Sequence, residues 1–347
     1  MENDMGFEKL KTAVLGLGDQ GREALAIAAE SEYFQICAVA DSDAELAEKI
    51  ARTHECGHYF DYRQLVIQND LDILIACEPT YVCAEFIRLA MSKQCNVIKM
   101  SPAALNFEQA YELFDIAKKN KVQLAAASPV LFSDGLMQLA KFIETEGKDS
   151  FHLITATYNT EGTISEPQNR WLTDPSLAGG GVLLHDCYPF MQQLISSFGI
   201  PEKIYALTGN NAPDRQQRLA TTEDTVVVTM HYSDIQMAQI NASRTFGPYE
   251  QYIRIHAKDS FLTANTNGFT QTGNDGKVIS HRSYNTTSLD WKKEMLDSFA
   301  RGIFDPAKIS SKFTNDLHTM AVIQSAYLSA KTSMPEEPAR MLERVKT

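Results

Sequence analysis

The first 130 residues alternate short apolar runs with longer stretches whose apolar positions recur at helical spacing. Runs at residues 12–15, 35–40, 72–77, 96–100 and 122–127 predict strands, and residues 19–31, 43–53, 81–93 and 107–120 predict amphipathic helices between them. Strands alternating with helices make βαβ units and a parallel sheet, and the uninterrupted apolar character of the strands fits a sheet covered on both faces. From about Phe151 strands follow one another, at 151–159, 203–209, 225–232, 235–244, 251–257 and 261–265. Only Ser233 and Asp234 separate the third and fourth of these, which predicts a hairpin. Helical spacing returns at 290–303 and 314–332. The expected architecture is an α/β domain over residues 1–130 and an α+β domain with a mostly antiparallel open sheet over 131–347, dividing near residues 128–134.

Length and charge narrow the class. At about 100–200 residues per domain, 347 residues favour two domains. A composition of 44% apolar and 22% charged residues excludes a collagenous or largely disordered chain. With 32 basic against 44 acidic residues, a net charge of −12 and no Lys/Arg block, no electrostatic footprint for nucleic acid or anionic lipid exists. No apolar run approaches the roughly 18 residues of a membrane span. The segment from Met1 to Gly6 lacks the basic and apolar regions of a secretory signal. Cys37, Cys56, Cys77, Cys83, Cys95 and Cys187 form no C-x-x-C pair and read as reduced thiols of a cytoplasmic protein.

The first predicted strand runs into Gly16-Leu17-Gly18-Asp19-Gln20-Gly21, a G-x-G-x-x-G loop, and a helix follows. The first glycine suits the tight turn, the second lets the backbone approach a pyrophosphate, and the third allows close helix–strand packing. Amides of Gly16, Gly18, Asp19, Gln20 and Gly21 at the helix N-terminus then receive the anion. Asp41 follows the second strand, twenty residues after Gly21, where a carboxylate accepts hydrogen bonds from an adenosine ribose. That carboxylate repels a 2′-phosphate, and the next residue is Ser42, not arginine, so NAD is expected in preference to NADP. Asp43 is the expected cap of the following helix.

With these residues in view, the chain resembles the Gfo/Idh/MocA family of nicotinamide-dependent oxidoreductases over nearly its full length. The resemblance is carried by the glycine loop, Ala40-Asp41-Ser42-Asp43, the Tyr59–Leu65 segment of form Y-x-D-Y-x-x-L, and Glu78-Pro79-Thr80-Tyr81. Trp171-Leu172-Thr173-Asp174-Pro175 leading into Gly179-Gly180-Gly181 completes the order. It implies a Rossmann-type dinucleotide-binding domain, with Pro79 and Thr80 among the cofactor contacts, followed by a larger sheet domain. In the family, the open face of that sheet often makes a dimer interface, and substrate lies between the domains. A homodimer or homotetramer is expected.

The usual family site has a lysine in a Glu-Lys-Pro motif after a strand and an Asp and a His one helical turn apart after the triple glycine. Here Met100 and Ser101 precede Pro102, His185 stands at the usual aspartate position and Pro189 at the usual histidine position. A further family segment, often Asn-x-Arg, reads Pro129-Val130-Leu131. Three groups are alternatives for acid/base work. Lys99 lies two residues before Ser101 on the same side of an extended strand, and is otherwise a lysine whose stem packs while its amine reaches water. His185 has an intrinsic pKa suited to proton exchange near neutrality, and is otherwise a satisfied buried histidine. Tyr188 is the weakest, since a phenol usually packs with its hydroxyl bonded. Pro189 is tolerated in the first turn of a helix, which places the helix start near residues 186–188 with Asp186 as N-cap and His185 in the preceding turn.

The expected function is NAD-dependent hydride transfer at the CH–OH group of a small sugar, cyclitol or related hydroxy compound. His185 acts as acid/base, Lys99 or Ser101 assists, and Tyr188, Trp171, Arg170 and Asp186 contact substrate. Tyr158, Glu161 and Arg244 are further polar residues of the same region, and Lys118 to Lys121 reads as a solvated helix end. His54, Glu55, Cys56 and His58 have no matching second cluster, so no metal is expected. The alternatives are a cofactor-binding regulator or sensor without dehydrogenase activity, in line with the replaced lysine and histidine, and redox-neutral chemistry with retained NAD.

Overall fold

The computed structural model describes residues 8–160, 167–210, 222–245, 247–309 and 315–344. The chain forms two compact units. The first holds a six-stranded parallel sheet in the order β3-β2-β1-β4-β5-β6. Its strands are β1 (Leu10–Leu15), β2 (Phe34–Ala40), β3 (Gly57–Tyr59), β4 (Ile73–Ala76), β5 (Asn96–Met100) and β6 (Leu124–Ala127). Helices α1 (Asp19–Glu30), α2 (Ala44–His54), α3 (Tyr62–Gln68), α4 (Thr80–Ser92) and α5 (Phe107–Asn120) connect them. Every residue of β4 and β6 is buried, as their continuous apolar runs require. Asp43 caps α2, its carboxylate accepting from the amides of Glu45 and Leu46. The strand order reverses between β1 and β4, and such a switch point opens the crevice where α/β sheets bind ligands. β3 and α3 escape the hydrophobic pattern, because β3 is a three-residue edge strand and α3 only seven residues long.

The second unit holds an eight-stranded sheet in the order β14-β13-β12-β11-β7-β10-β9-β8. Its strands are β7 (Phe151–Asn159), β8 (Lys203–Gly209), β9 (Thr225–Ser233), β10 (Gln236–Ser243), β11 (Glu250–Ala257), β12 (Ser260–Asn265), β13 (Gly268–Gly273) and β14 (Val278–Ser283). All neighbours are antiparallel except β7 and β10. The expected hairpin is the β9–β10 pair. Helices α6 (Asp134–Glu146), α7 (Pro175–Ala178), α8 (Val182–His185), α9 (Tyr188–Phe198), α10 (Ser288–Phe304), α11 (Asp316–Thr332) and α12 (Pro338–Arg344) complete the description. Side chains alternate across the sheet: Ile154, Ala156, Ala238, Ile240, Val228 and Ile204 are buried on one face, while Leu153, Met237 and Leu207 are exposed on the other.

The units do not divide at one chain position. The chain enters the second unit at Ser128, yet Ser101–Tyr111 also belongs to it, and Lys292–Phe313 returns to the first. The return is held by long-range contacts. The Ser31 hydroxyl donates to Asp297 at 2.7 Å, Gln123 Nε2 donates to the Gly302 carbonyl at 2.6 Å, and Lys292 pairs with Glu23. Met295, Leu296, Phe299 and Ala300 are buried along the same stretch. Partners more than a hundred residues apart leave no mark on local spacing.

Pro189 is the second residue of α9, as its fixed backbone angle favours. His185 ends the one-turn helix α8, so the chain breaks between them as expected. The expected cap needs correcting: Cys187, without a side-chain bond, precedes α9, and the Asp186 carboxylate turns away to Arg244. Among the described residues no helix is long and apolar enough to cross a membrane.

Candidate functional site

In the first unit the glycine loop joins β1 to α1. Gly21 sits against the start of the loop, where a Cβ would lie 1.8 Å from the Gly16 carbonyl oxygen, so only glycine permits this helix–strand approach. A Cβ at Gly18 would meet nothing within 4 Å, which leaves that side of the loop open. Gly18 is the N-cap of α1 and offers no side-chain acceptor to the first turn. Uncapped amides behind an open loop fit an anion such as a pyrophosphate. Asp19 and Gln20 are exposed in that first turn, and Asp19 pairs with Arg22.

Asp41 is 8% exposed. Its Oδ2 accepts from the Leu17 amide at 2.7 Å and its Oδ1 from the Asp43 amide at 2.9 Å. Each oxygen keeps a lone pair for a further donor such as a ribose hydroxyl. The Ser42 amide donates to the Tyr62 hydroxyl at 3.2 Å, and that hydroxyl donates to Glu78 Oε1 at 2.9 Å. Burial raises the Glu78 pKa and the neighbouring Asp41 charge raises it further, while the Tyr62 bond and Lys99 oppose the shift. Burial and the Glu78 carboxylate likewise raise the Tyr62 phenol. Pro79 is the N-cap of α4, and Thr80, its first residue, is buried with a hydroxyl that has no hydrogen-bond partner among the described residues.

Lys99 is 3% exposed, and its Nζ donates to the Met100 carbonyl at 2.5 Å. The amine does not reach water, which corrects the expectation of a lysine with a solvated head. Burial lowers its pKa, against the influence of Cys83, Cys77 and Glu78. Burial also pushes the Cys77 thiol up to about 12. Both shifts favour neutral groups packed beneath the strand ends. Ser101 is half-buried and belongs to the second unit.

In the second unit, the triple glycine turns between α7 and α8. A Cβ at Gly181 would lie 1.9 Å from the Glu223 carbonyl oxygen. The Glu223 carboxylate accepts from the amides of Gly181 and Leu183 and from the Tyr327 hydroxyl, and burial raises its pKa. Glu223 thus caps α8 from a remote strand start, a role no local spacing announces. The same turn borders a cavity of about 400 Å³ lined by Gly179, Gly180, Glu223 and Tyr327.

His185 Nε2 lies 2.8 Å from the Ala178 carbonyl, and the Trp171 ring meets the imidazole edge-on with centroids 5.3 Å apart. A carbonyl can only accept, so Nε2 carries a proton and Nδ1 is the basic nitrogen of the neutral ring. Asp186 Oδ2 lies 2.5 Å from both Nε and Nη2 of Arg244. Arg244 is 7% exposed, and its Nη1 is buried without a hydrogen-bond partner among the described residues. Burial raises the Asp186 pKa, and Arg244 opposes the rise. Tyr158 stands edge-on to Phe190 nearby, its phenol raised by burial and by Asp186. Arg170 is exposed in the turn before Trp171. Tyr188, expected to touch substrate, is wholly buried instead, its hydroxyl donating to Asp316 Oδ1 at 3.1 Å. Glu161 lies outside the described residues. Among the described residues no group of three His, Cys, Asp or Glu side chains is placed to hold a metal ion.

A doubly wound parallel sheet, an uncapped helix behind an open glycine loop and a carboxylate at the end of β2 define a dinucleotide-binding domain. Two family models match the chain: "Oxidoreductase family, NAD-binding Rossmann fold" over residues 10–128, and "GFO/IDH/MocA C-terminal domain" over residues 141–262. Together they cover more than half of the chain, which belongs to the Gfo/Idh/MocA oxidoreductase family. One relative, 2,7-anhydro-N-acetylneuraminate hydratase of Mediterraneibacter gnavus, is 25% identical over 247 residues, 70% of this chain and 64% of that protein. The chain therefore spans just under two thirds of that relative's length. D-xylose 1-dehydrogenase (NADP(+)) 2 of Haloferax volcanii is 23% identical over 335 residues, 93% of this chain and 98% of that protein. Levoglucosan dehydrogenase, solved in complex with NADH and levoglucosan, shares the fold with a TM-score of 0.83 at 16% identity, over 95% of this chain and 99% of that one.

Proposed function

We propose that the protein is an NAD-dependent oxidoreductase that transfers hydride to or from the CH–OH carbon of a small sugar, cyclitol or related hydroxy compound. The observation that carries this reading is His185: Nε2 is tied to the Ala178 carbonyl, and Nδ1 is the basic nitrogen in the segment where the family places its acid/base residues. Bound NAD supplies the hydride acceptor at its nicotinamide. His185 Nδ1 takes the hydroxyl proton as the carbonyl forms, and returns it in the reverse direction. Trp171 holds the imidazole plane by its edge-on contact, and Asp41 with the α1 amides binds the dinucleotide. Lys99 or Ser101 assists. The names of the xylose dehydrogenase relative and of the levoglucosan dehydrogenase that shares the fold support a polyhydroxy substrate. A second copy of the chain over the open sheet face that carries Leu153, Met237 and Leu207 forms the homodimer, itself a basis for a homotetramer.

The test is NADH formation across a panel of sugars and cyclitols, with His185→Ala beside the wild type. Loss of roughly 10²–10⁴-fold in turnover with unchanged NADH affinity is expected; full turnover in the variant removes His185 from the chemistry. The second reading, a regulator or sensor that binds the dinucleotide without turnover, is favoured by Ser101 and Pro189 at the usual lysine and histidine positions. Tight NADH binding with no turnover on the whole panel selects it.

A further inference from the structure

Glu78 and Tyr62 belong to no step of the proposed reaction, yet they are built into the dinucleotide crevice. In the sheet, β1 separates β4 from β2. Glu78, just after β4, runs alongside Gly16: a Cβ there would lie 2.8 Å from its Cγ and 3.0 Å from its Oε1, and Gly16 has a φ of +88°. The carboxylate thus crosses the end of β1 to Tyr62, whose hydroxyl bonds the Ser42 amide. The direction of the chain is settled by that amide, which can only donate: the phenol oxygen accepts from it and sends its own proton to Glu78. By way of this hydroxyl, Glu78 Oε1 lies no more than about 6 Å from the Ser42 amide nitrogen. Ser42 directly follows Asp41, so its amide stands where a 2′-phosphate on the adenosine ribose would look for a donor.

We propose that Glu78, acting through Tyr62, is a second determinant of dinucleotide choice, working with Asp41 to exclude a 2′-phosphate. The inference rests on the reading of the first unit as NAD-binding. A 2′-phosphate at this turn faces two carboxylates and finds the Ser42 amide already engaged. Glu78 is a positioning residue here: its bond to Tyr62 holds the amide, and its charge adds to that of Asp41. Discrimination also depends on pH. The groups facing Glu78 are Asp41 from the end of β2, Tyr62 from α3 and Lys99 from β5, and their balance with burial leaves its pKa raised. Its charge therefore increases as pH climbs through and above the ordinary carboxylate range.

The experiment measures NADH and NADPH affinities by fluorescence titration of the full chain, as wild type, Glu78→Gln and Tyr62→Phe. Glutamine still accepts the phenol proton but carries no charge, so the NADPH/NADH ratio of dissociation constants is expected to fall by about threefold or more. Between about pH 5 and pH 8 the wild-type ratio is expected to widen while the Glu78→Gln ratio stays flatter. A ratio unchanged in Glu78→Gln overturns the proposal. Should that variant fail to fold by circular dichroism, Tyr62→Phe carries the same comparison under the same threshold. A wild type that binds NADPH as well as NADH removes the NAD reading instead, and the variant's ratio still reports on Glu78 separately.

Discussion

One oxygen of Asp186 receives both the Nε and the Nη2 of Arg244, each at 2.5 Å. The pair joins the residue after His185 to the one that follows β10, and it fixes the break between α8 and α9. Arg244→Met leaves a largely buried carboxylate without its cation. A loss of about 3–5 kcal/mol in unfolding free energy is expected, toward the lower end because Asp186 keeps some water contact.

The same variant carries a pH signature. Burial already holds the folded-state pKa of Asp186 above its unfolded value, and removing Arg244 raises it further. The folded state then binds more protons than the unfolded state between those two values. Stability is retained below the ordinary carboxylate range and falls as pH rises through the raised value. Urea unfolding from about pH 4 to pH 7 is expected to show a steeper fall for Arg244→Met than for wild type.

Gly21→Ala tests the glycine loop. The added methyl meets the Gly16 carbonyl oxygen at 1.8 Å, a backbone contact that cannot turn aside. A destabilisation of roughly 1–3 kcal/mol is expected, with NADH affinity lowered about tenfold as the loop shifts. Thermal melts and fluorescence titration read the two effects.

Tyr188→Phe separates packing from substrate contact. Asp316 Oδ1 loses the phenol and keeps Gln192, which bonds it at 2.7 Å. A cost of about 1–3 kcal/mol is expected, with NADH affinity unchanged.

Met237→Lys tests the proposed homodimer. Met237 lies directly opposite Leu153 on the open sheet face. A charge placed there is expected to shift the mass measured by light scattering from dimer to monomer, because an unpaired ammonium resists burial.

Much of the first unit is legible along the chain. Its helix-covered strands need continuous apolar runs, and Asp43 and Pro189 follow from capping and proline chemistry at one position each. Tyr62 and Glu78 both stand in segments that carry the family resemblance, but on different connections of the sheet, so nothing in their spacing joins them. Lys99 reads as a lysine with a solvated amine and Tyr188 as a substrate contact, whereas the fold buries both, the Lys99 amine on the Met100 carbonyl and the Tyr188 hydroxyl on Asp316.

By itself, the sequence determined the two kinds of sheet, the glycine loop, Asp41 and the helix break before Pro189, because each depends on residues close together in the chain. Only the tertiary structure decided that residues 292–309 pack with the first unit, that Glu223 caps α8, that Arg244 holds Asp186, and that Tyr62 joins Glu78 to the turn after β2. Hydrogen bonds and charges act over a few ångströms of space, and folding alone brings residues from distant parts of the chain within that reach.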